Sequence, residues 1–160
     1  MRLKTVVIDD EPLAIVLMRE WISAFPQLEL LHCFEDALSA AEFIRQHRVD
    51  LLLVDIQMPD ISGLDLVQSL VNKPLIIFTT AHKKFALQGF ELDAIDYLLK
   101  PIPFERFSKA VGKAVDRHLW REEKENNASE NIFVYEEYRL VKIRFSDIVY
   151  VESQQDYSRF

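Results

Sequence analysis

Five short apolar runs pace the first hundred residues, each followed by a stretch with helical spacing, and this rhythm constrains the fold before any residue is given a role. The runs are LKTVVID (Leu3–Asp9), LELLHCF (Leu28–Phe34), DLLLVDIQ (Asp50–Gln57), PLIIFTTA (Pro74–Ala81) and AIDYLLK (Ala94–Lys100). They have strand length and are apolar enough to be covered on both faces. Between the first two, Leu13, Leu17, Trp21 and Ala24 recur at spacings of three and four, one face of a helix that Pro26 ends. Asp36 predicts the cap of a second helix bearing Leu38, Ala41, Phe43 and Ile44. After the turn MPDISG, Leu64, Val67, Leu70 and Val71 make a third helix face, and Ala86, Leu87 and Phe90 mark a fourth. Pro103 opens a last, long helix with Phe104, Phe107, Val111, Ala114, Val115 and Leu119 inward, reaching about Glu125. Strands alternating with helices imply parallel pairing and right-handed crossovers. The expected fold class is α/β, a doubly wound five-stranded parallel sheet over residues 1–120.

The rhythm then breaks. EKENNASEN (Glu123–Asn131) is polar and has no apolar period, so residues 121–130 read as a helix end and linker. In IFVYEEYRLVKIRFSDIVYVES apolar and polar residues alternate, the pattern of a β-hairpin or meander. Residues 131–160 thus read as a truncated β-rich segment, too short to be stable alone, with the chain stopping inside a new domain. Of the 160 residues 49% are hydrophobic, enough for a real core, and the net charge of −7 argues against a general polyanion binder. The single cysteine, Cys33, cannot form an internal disulfide and reads as a small core residue. No leader pattern or membrane-length apolar run is visible, so a cytoplasmic protein without a membrane partner is expected.

The chemistry collects where the runs end. The first ends in VIDDEP, which sets Asp9, Asp10 and Glu11 side by side at the edge of an apolar stretch. Asp55 ends the third run, Thr79 and Thr80 the fourth, and Lys100 the fifth. In open α/β sheets ligands sit outside the carboxyl ends of the strands. In a sheet ordered 2-1-3-4-5, strands one, three, four and five are neighbours, so these groups converge on one rim. Two like charges about 4 Å apart cost roughly 4 kcal/mol at an effective dielectric of about 20. A hard divalent cation bound by oxygens offsets that cost, and Mg²⁺ takes one or two carboxylates, a carbonyl and waters. Carboxylates, an ammonium and a hydroxyl around such an ion form a phosphoryl site with a carboxylate as nucleophile. Singly, each element has an ordinary reading as turn, cap or solvated loop; together, at successive strand ends, they point to one site. His32, His47, His82 and His118 lack zinc-ligand spacing.

On VIDDEP, LLLVDIQMPDISGLDL, IIFTTAH and FELDAIDYLLKPI, residues 1 to about 118 resemble the receiver domain of two-component response regulators, which has a flavodoxin-like sheet. The resemblance implies Asp55 as phosphoacceptor. It implies a Mg²⁺ shell of Asp10, Asp55 and the backbone carbonyl of Gln57, with Asp9 acting through water. Thr80 would be the switch hydroxyl and Tyr97 the rotating aromatic. Lys100 would contact the phosphoryl group, Lys100–Pro101 would be a cis peptide, and Pro59 and Gly63 would shape the loop after Asp55. From about Ile132 the chain resembles the beginning of a LytTR-type DNA-binding domain, chiefly through SDIVYVES. There, Gln154, Gln155, Tyr157, Ser158 and Arg159 would belong to a DNA-contact loop.

The resulting expectation is a signal-responsive transcription regulator rather than an enzyme. A sensor histidine kinase phosphorylates Asp55, the face around Leu87, the fifth strand and the following helix is remodelled, and the protein homodimerises. DNA is bound only when the second domain is complete. Gln57 and His82, each two residues past a site residue, are expected to lean over the phosphoryl group and govern access to it. One alternative is a stand-alone receiver acting by protein contact. Another is a Mg²⁺-dependent phosphohydrolase with an aspartyl-phosphate intermediate, against which Gln57 stands where such enzymes carry a second aspartate.

Overall fold

In a computed structural model of the chain, residues 2–82, 92–136 and 139–144 are described, those from 125 onward as backbone only. Five strands, β1 (Leu3–Ile8), β2 (Leu28–Phe34), β3 (Leu51–Asp55), β4 (Leu75–Thr80) and β5 (Asp96–Leu99), form a parallel sheet. Its order is β2-β1-β3-β4-β5, the doubly wound arrangement expected. Helices α1 (Pro12–Ser23), α2 (Ala37–Gln46), α3 (Gly63–Ser69) and α4 (Phe104–Glu130) follow β1, β2, β3 and β5. The fourth predicted helix, around Leu87, lies outside the described residues. The chain divides into two compact units, Met1–His118 and Leu119–Phe160. No helix among the described residues is long and apolar enough to cross a membrane.

Alternation along the central strands builds two cores. Leu51 and Leu53 join Met18, Ile22, Phe107 and Val111 on one side of the sheet. Leu52 and Val54 join Ala37, Ala40, Leu66 and Val67 on the other. Each fully buried aliphatic side chain contributes roughly 1.5–3 kcal/mol, so β3, apolar from Leu51 to Val54, is fixed from both faces. Local chemistry starts the helices. Pro12 opens α1, the Asp36 carboxylate accepts the Ser39 N–H of α2, and Ser62 Oγ accepts the Asp65 N–H of α3.

Several expected faces are corrected. Leu13 is 83% exposed and Leu17 is also exposed; Ile15, Met18 and Ile22 are the buried stripe of α1. That helix is apolar over most of its girth, so spacing alone allowed either stripe, and the sheet selected the one facing it. Trp21 is half-buried and packs against Phe104 and Phe107, with ring centroids 5.8 and 5.2 Å away. Val71 lies past the end of α3 and is 95% exposed. Leu38, Phe104 and Leu119 are likewise exposed, and Cys33, on edge strand β2, is half-buried. The stretch 121–130, expected as a helix end and linker, is helical to Glu130. Its Glu, Lys and Ala residues favour helix, and neither proline nor glycine interrupts it. In the second unit, β6 (Asn131–Glu136) and β7 (Arg139–Arg144) form an antiparallel pair, Asn131 opposite Arg144. Residues 154–159, the expected DNA-contact loop, lie outside the described residues.

Candidate phosphoryl-transfer site

The strand order brings the ends of β1, β3, β4 and β5 together, and the rim residues form one buried cluster. Asp9 is 1% exposed and Asp55 4%, while Asp10 is partly buried. One carboxylate oxygen from each of Asp9, Asp10 and Asp55 lies within 4.8 Å of the others. Lys100 Nζ enters this group at 2.9 Å from Asp55 Oδ2, 3.1 Å from Asp9 Oδ1 and 2.8 Å from Asp9 Oδ2. Only the Oδ1 contact to Asp9 has hydrogen-bond geometry, and Oδ2 is buried without a hydrogen-bond donor among the described residues. Burial pushes the Asp9 carboxyl up, and Lys100 and the Glu11 N–H do not cancel that push. Burial alone lowers the Lys100 ammonium, but its hydrogen bonds to Asp9 and Asp55 outweigh it and hold the ammonium above its ordinary value. The Lys100–Pro101 peptide is cis.

Three of the four site strands, β1, β3 and β4, end in the same local device. Asp9 Oδ1 accepts the N–H of Glu11 at 3.0 Å, Asp55 Oδ1 that of Gln57 at 3.2 Å, and Thr80 Oγ1 that of His82 at 3.1 Å. Each bond spans two residues, turns the chain away from the sheet and pins the side chain that makes it. Glu11, Gln57 and His82 are consequently exposed at the rim. Thr80 itself is buried. Tyr97 stacks on Phe78, ring centroids 5.2 Å apart; burial pushes its hydroxyl up to about 12, and that oxygen has no hydrogen-bond partner among the described residues. Gly63 is fixed by sterics: a Cβ there would collide with the Asp55 carbonyl oxygen and sit 2.9 Å from Val54 Cγ2. Only glycine lets α3 begin so close to the end of β3. Pro59 is exposed on the intervening loop.

A carboxylate surplus around one ammonium, with a buried oxygen still lacking a donor, is a donor set suited to a hard divalent cation. A feature not singled out from the sequence lies just beyond. The Asp60 carboxylate accepts the Ala37 N–H at 3.0 Å, joining the loop after β3 to α2. Their separation in sequence left no local signal for this contact.

Comparison with known proteins agrees with this geometry. The profile of the family described as "Response regulator receiver domain" matches residues 5–112. Protein MrkE of Klebsiella pneumoniae is 30% identical over 168 residues, covering 96% of this chain and 61% of that protein. The transcriptional regulatory protein YpdB of Escherichia coli K12 is 29% identical, covering 96% and 66%. The sensory transduction protein LytR of Staphylococcus haemolyticus is 42% identical over 117 residues, covering 69% and 44%. The crystal structure of the response regulatory domain of MrkE superimposes with a TM-score of 0.67 at 32% identity, over 72% of this chain and 97% of that one. The chain belongs to the response regulator receiver family and carries the receiver domain of a two-component response regulator. It spans 61–66% of the length of MrkE and YpdB.

Proposed function

We propose that Asp55 accepts a phosphoryl group from a sensor histidine kinase in a Mg²⁺-dependent reaction, and that this switches a cytoplasmic transcription regulator. The observation that carries the reading is the single ammonium of Lys100 held between the buried carboxylates of Asp9 and Asp55, with Asp10 beside them. Asp10, Asp55 and the Gln57 carbonyl would hold Mg²⁺, with Asp9 behind a water; the ion would neutralise charge on the transferring oxygens. An Asp55 carboxylate oxygen attacks phosphorus while the bond from phosphorus to the donor's imidazole nitrogen breaks, leaving an acyl phosphate. Lys100 stays close enough to compensate the added charge. Thr80 and Tyr97, on adjacent strands β4 and β5, respond as the switch pair and favour a homodimer. An open apolar cleft of about 420 Å³, lined by Leu13, Ala14, Leu17, Lys100, Pro101 and Ile102, lies directly beside the site and suits an approaching kinase helix. The names of YpdB and LytR, and the resemblance of the β-rich segment to a LytTR-type domain, support transcription control, with DNA bound once that second domain is complete.

The test uses the 160-residue chain with Mg²⁺ and acetyl phosphate, weighed intact. The wild type gains phosphoryl mass; Asp55→Asn does not, nor does the wild type after chelation of Mg²⁺. Equal labelling of wild type and Asp55→Asn would overturn the assignment.

A further inference from the structure

The loop from Ile56 to Ser62 carries both the chain past the phosphoacceptor and the carbonyl assigned to the metal. Its base is closed, because Gly63 N–H donates to Ile56 O at 2.9 Å and Ile56 N–H to Thr79 O at 3.0 Å. Its start is pinned by the Gln57 N–H on Asp55 Oδ1. In its middle, Asp60 reaches a different element. Its carboxylate accepts the Ala37 N–H at 3.0 Å, in the first turn of α2. Slight burial raises the Asp60 carboxyl, and the nearby N–H groups of Ile61, Asp60, Ala37 and Leu38 more than reverse that, so it is held below the usual carboxylate range. Helix starts leave N–H groups without intrahelical partners. At the start of α2, Asp36 serves Ser39 from the helix's own N-cap position, and Asp60 serves Ala37 from the loop after β3. The two caps therefore differ in what they join: Asp36 closes one helix, whereas Asp60 ties that helix to the active loop.

We propose that Asp60 is a positioning residue for phosphoryl transfer, clamping the loop that begins at Asp55 and Gln57 onto the N-terminus of α2. The inference rests on the reading of Asp55 as phosphoacceptor and the Gln57 carbonyl as metal ligand. A carbonyl ligand is placed only as well as the backbone that bears it, and Mg²⁺ demands near-octahedral geometry. A loop left unclamped must be ordered at the expense of metal binding. Asp60 touches neither metal nor phosphoryl group and acts through the loop.

The test compares Asp60→Ala, Asp60→Asn and Asp36→Ala in the 160-residue chain. Mg²⁺ affinity is measured by calorimetry, amide exchange across residues 57–63 by mass spectrometry, and acetyl phosphate labelling as a function of Mg²⁺. Asp60→Ala should bind Mg²⁺ roughly tenfold more weakly. It should exchange faster at the amides of Met58, Asp60 and Ile61 and regain the wild-type labelling rate at saturating Mg²⁺. Asp60→Asn keeps an oxygen that accepts N–H bonds and should restore most of the affinity. Asp36→Ala loosens the same helix end without touching the loop, and should leave Mg²⁺ affinity intact. Wild-type Mg²⁺ affinity in Asp60→Ala would overturn the proposal while leaving the Asp55 reading standing. So would an Asp36→Ala variant as impaired as Asp60→Ala, or an Asp60→Asn variant no better than it. A wild type that fails to bind Mg²⁺ would overturn both.

Discussion

Two clusters on the same sheet combine the same charge types in opposite proportions. At the start of β5, Asp96 is met by two cations: Arg106 at 2.6 and 2.9 Å and Lys113 at 2.8 Å. Burial opposes its charge, but those contacts and the Tyr97 N–H win, and its carboxyl is lowered to about 2. At the strand rim one ammonium, Lys100, serves both Asp9 and Asp55, with Asp10 adjacent, and burial pushes the Asp9 carboxyl up. The first cluster has a surplus of cations and is complete as it stands. The second has a surplus of carboxylates, so added cationic charge lowers its energy. The two clusters differ in this ratio more than in the residue types present.

The ratio is broken most directly by removing Lys100. Lys100→Met should slow labelling by acetyl phosphate on the order of a hundredfold, the scale for losing one donor aimed at transition-state charge. Arg106→Met, which removes a cation from the complete cluster, should label at close to the wild-type rate. Initial rates read by intact mass decide the matter; equal losses in the two variants would mean that the clusters do not differ in function.

A smaller effect, with the opposite emphasis, is expected at Asp96. Its folded carboxyl titrates at about 2, below its unfolded value, so its stabilisation is fully present above about pH 4 and fades as pH falls through 2. The partner side chains of Arg106 and Lys113 are 40% and 58% exposed, and solvent screens them. Asp96→Asn should therefore cost on the order of 1–2 kcal/mol at pH 7. That gap to wild type should narrow between pH 4 and pH 2 in urea unfolding, while labelling at Asp55 is retained. A gap independent of pH would show that the charge is not what matters there.

How far the sequence carried the argument differs between these regions for physical reasons. Asp9, Asp55, Thr80 and Lys100 were legible because each ends an apolar run, and parallel pairing brings such ends to one side. The buried stripe of α1 was not legible. Leu13–Leu17–Trp21 and Ile15–Met18–Ile22 are equally apolar, and only packing against the sheet distinguishes them. The polar run after Glu122 read as a helix end and linker because periodicity was the signal used, and propensity carries the helix through it to Glu130. Asp60 was invisible for another reason: its partners are N–H groups of a distant helix turn, and backbone donors leave no trace in a residue pattern.

The smallest expected effects come from the residues that the rim turns expose. The bonds from Gln57 N–H to Asp55 and from His82 N–H to Thr80 are alike in span and length, so both side chains leave the sheet just past a site residue. Neither side chain belongs to the proposed metal shell, so either can change without dismantling the charge cluster. The expectation is that each stands where water must approach for in-line attack on an acyl phosphate at Asp55. The imidazole of His82 should screen that approach, so His82→Ala should hydrolyse phospho-Asp55 severalfold faster. Gln57→Ala should also change the lifetime, through the loop of the phosphoacceptor itself rather than from β4. Decay is followed by intact mass after removal of acetyl phosphate, with Asp96→Asn as the control from the complete cluster. If His82→Ala, Gln57→Ala and Asp96→Asn all decay at the wild-type rate, the turns serve only to end the strands, and control of phosphoryl lifetime must be sought in residues other than these two.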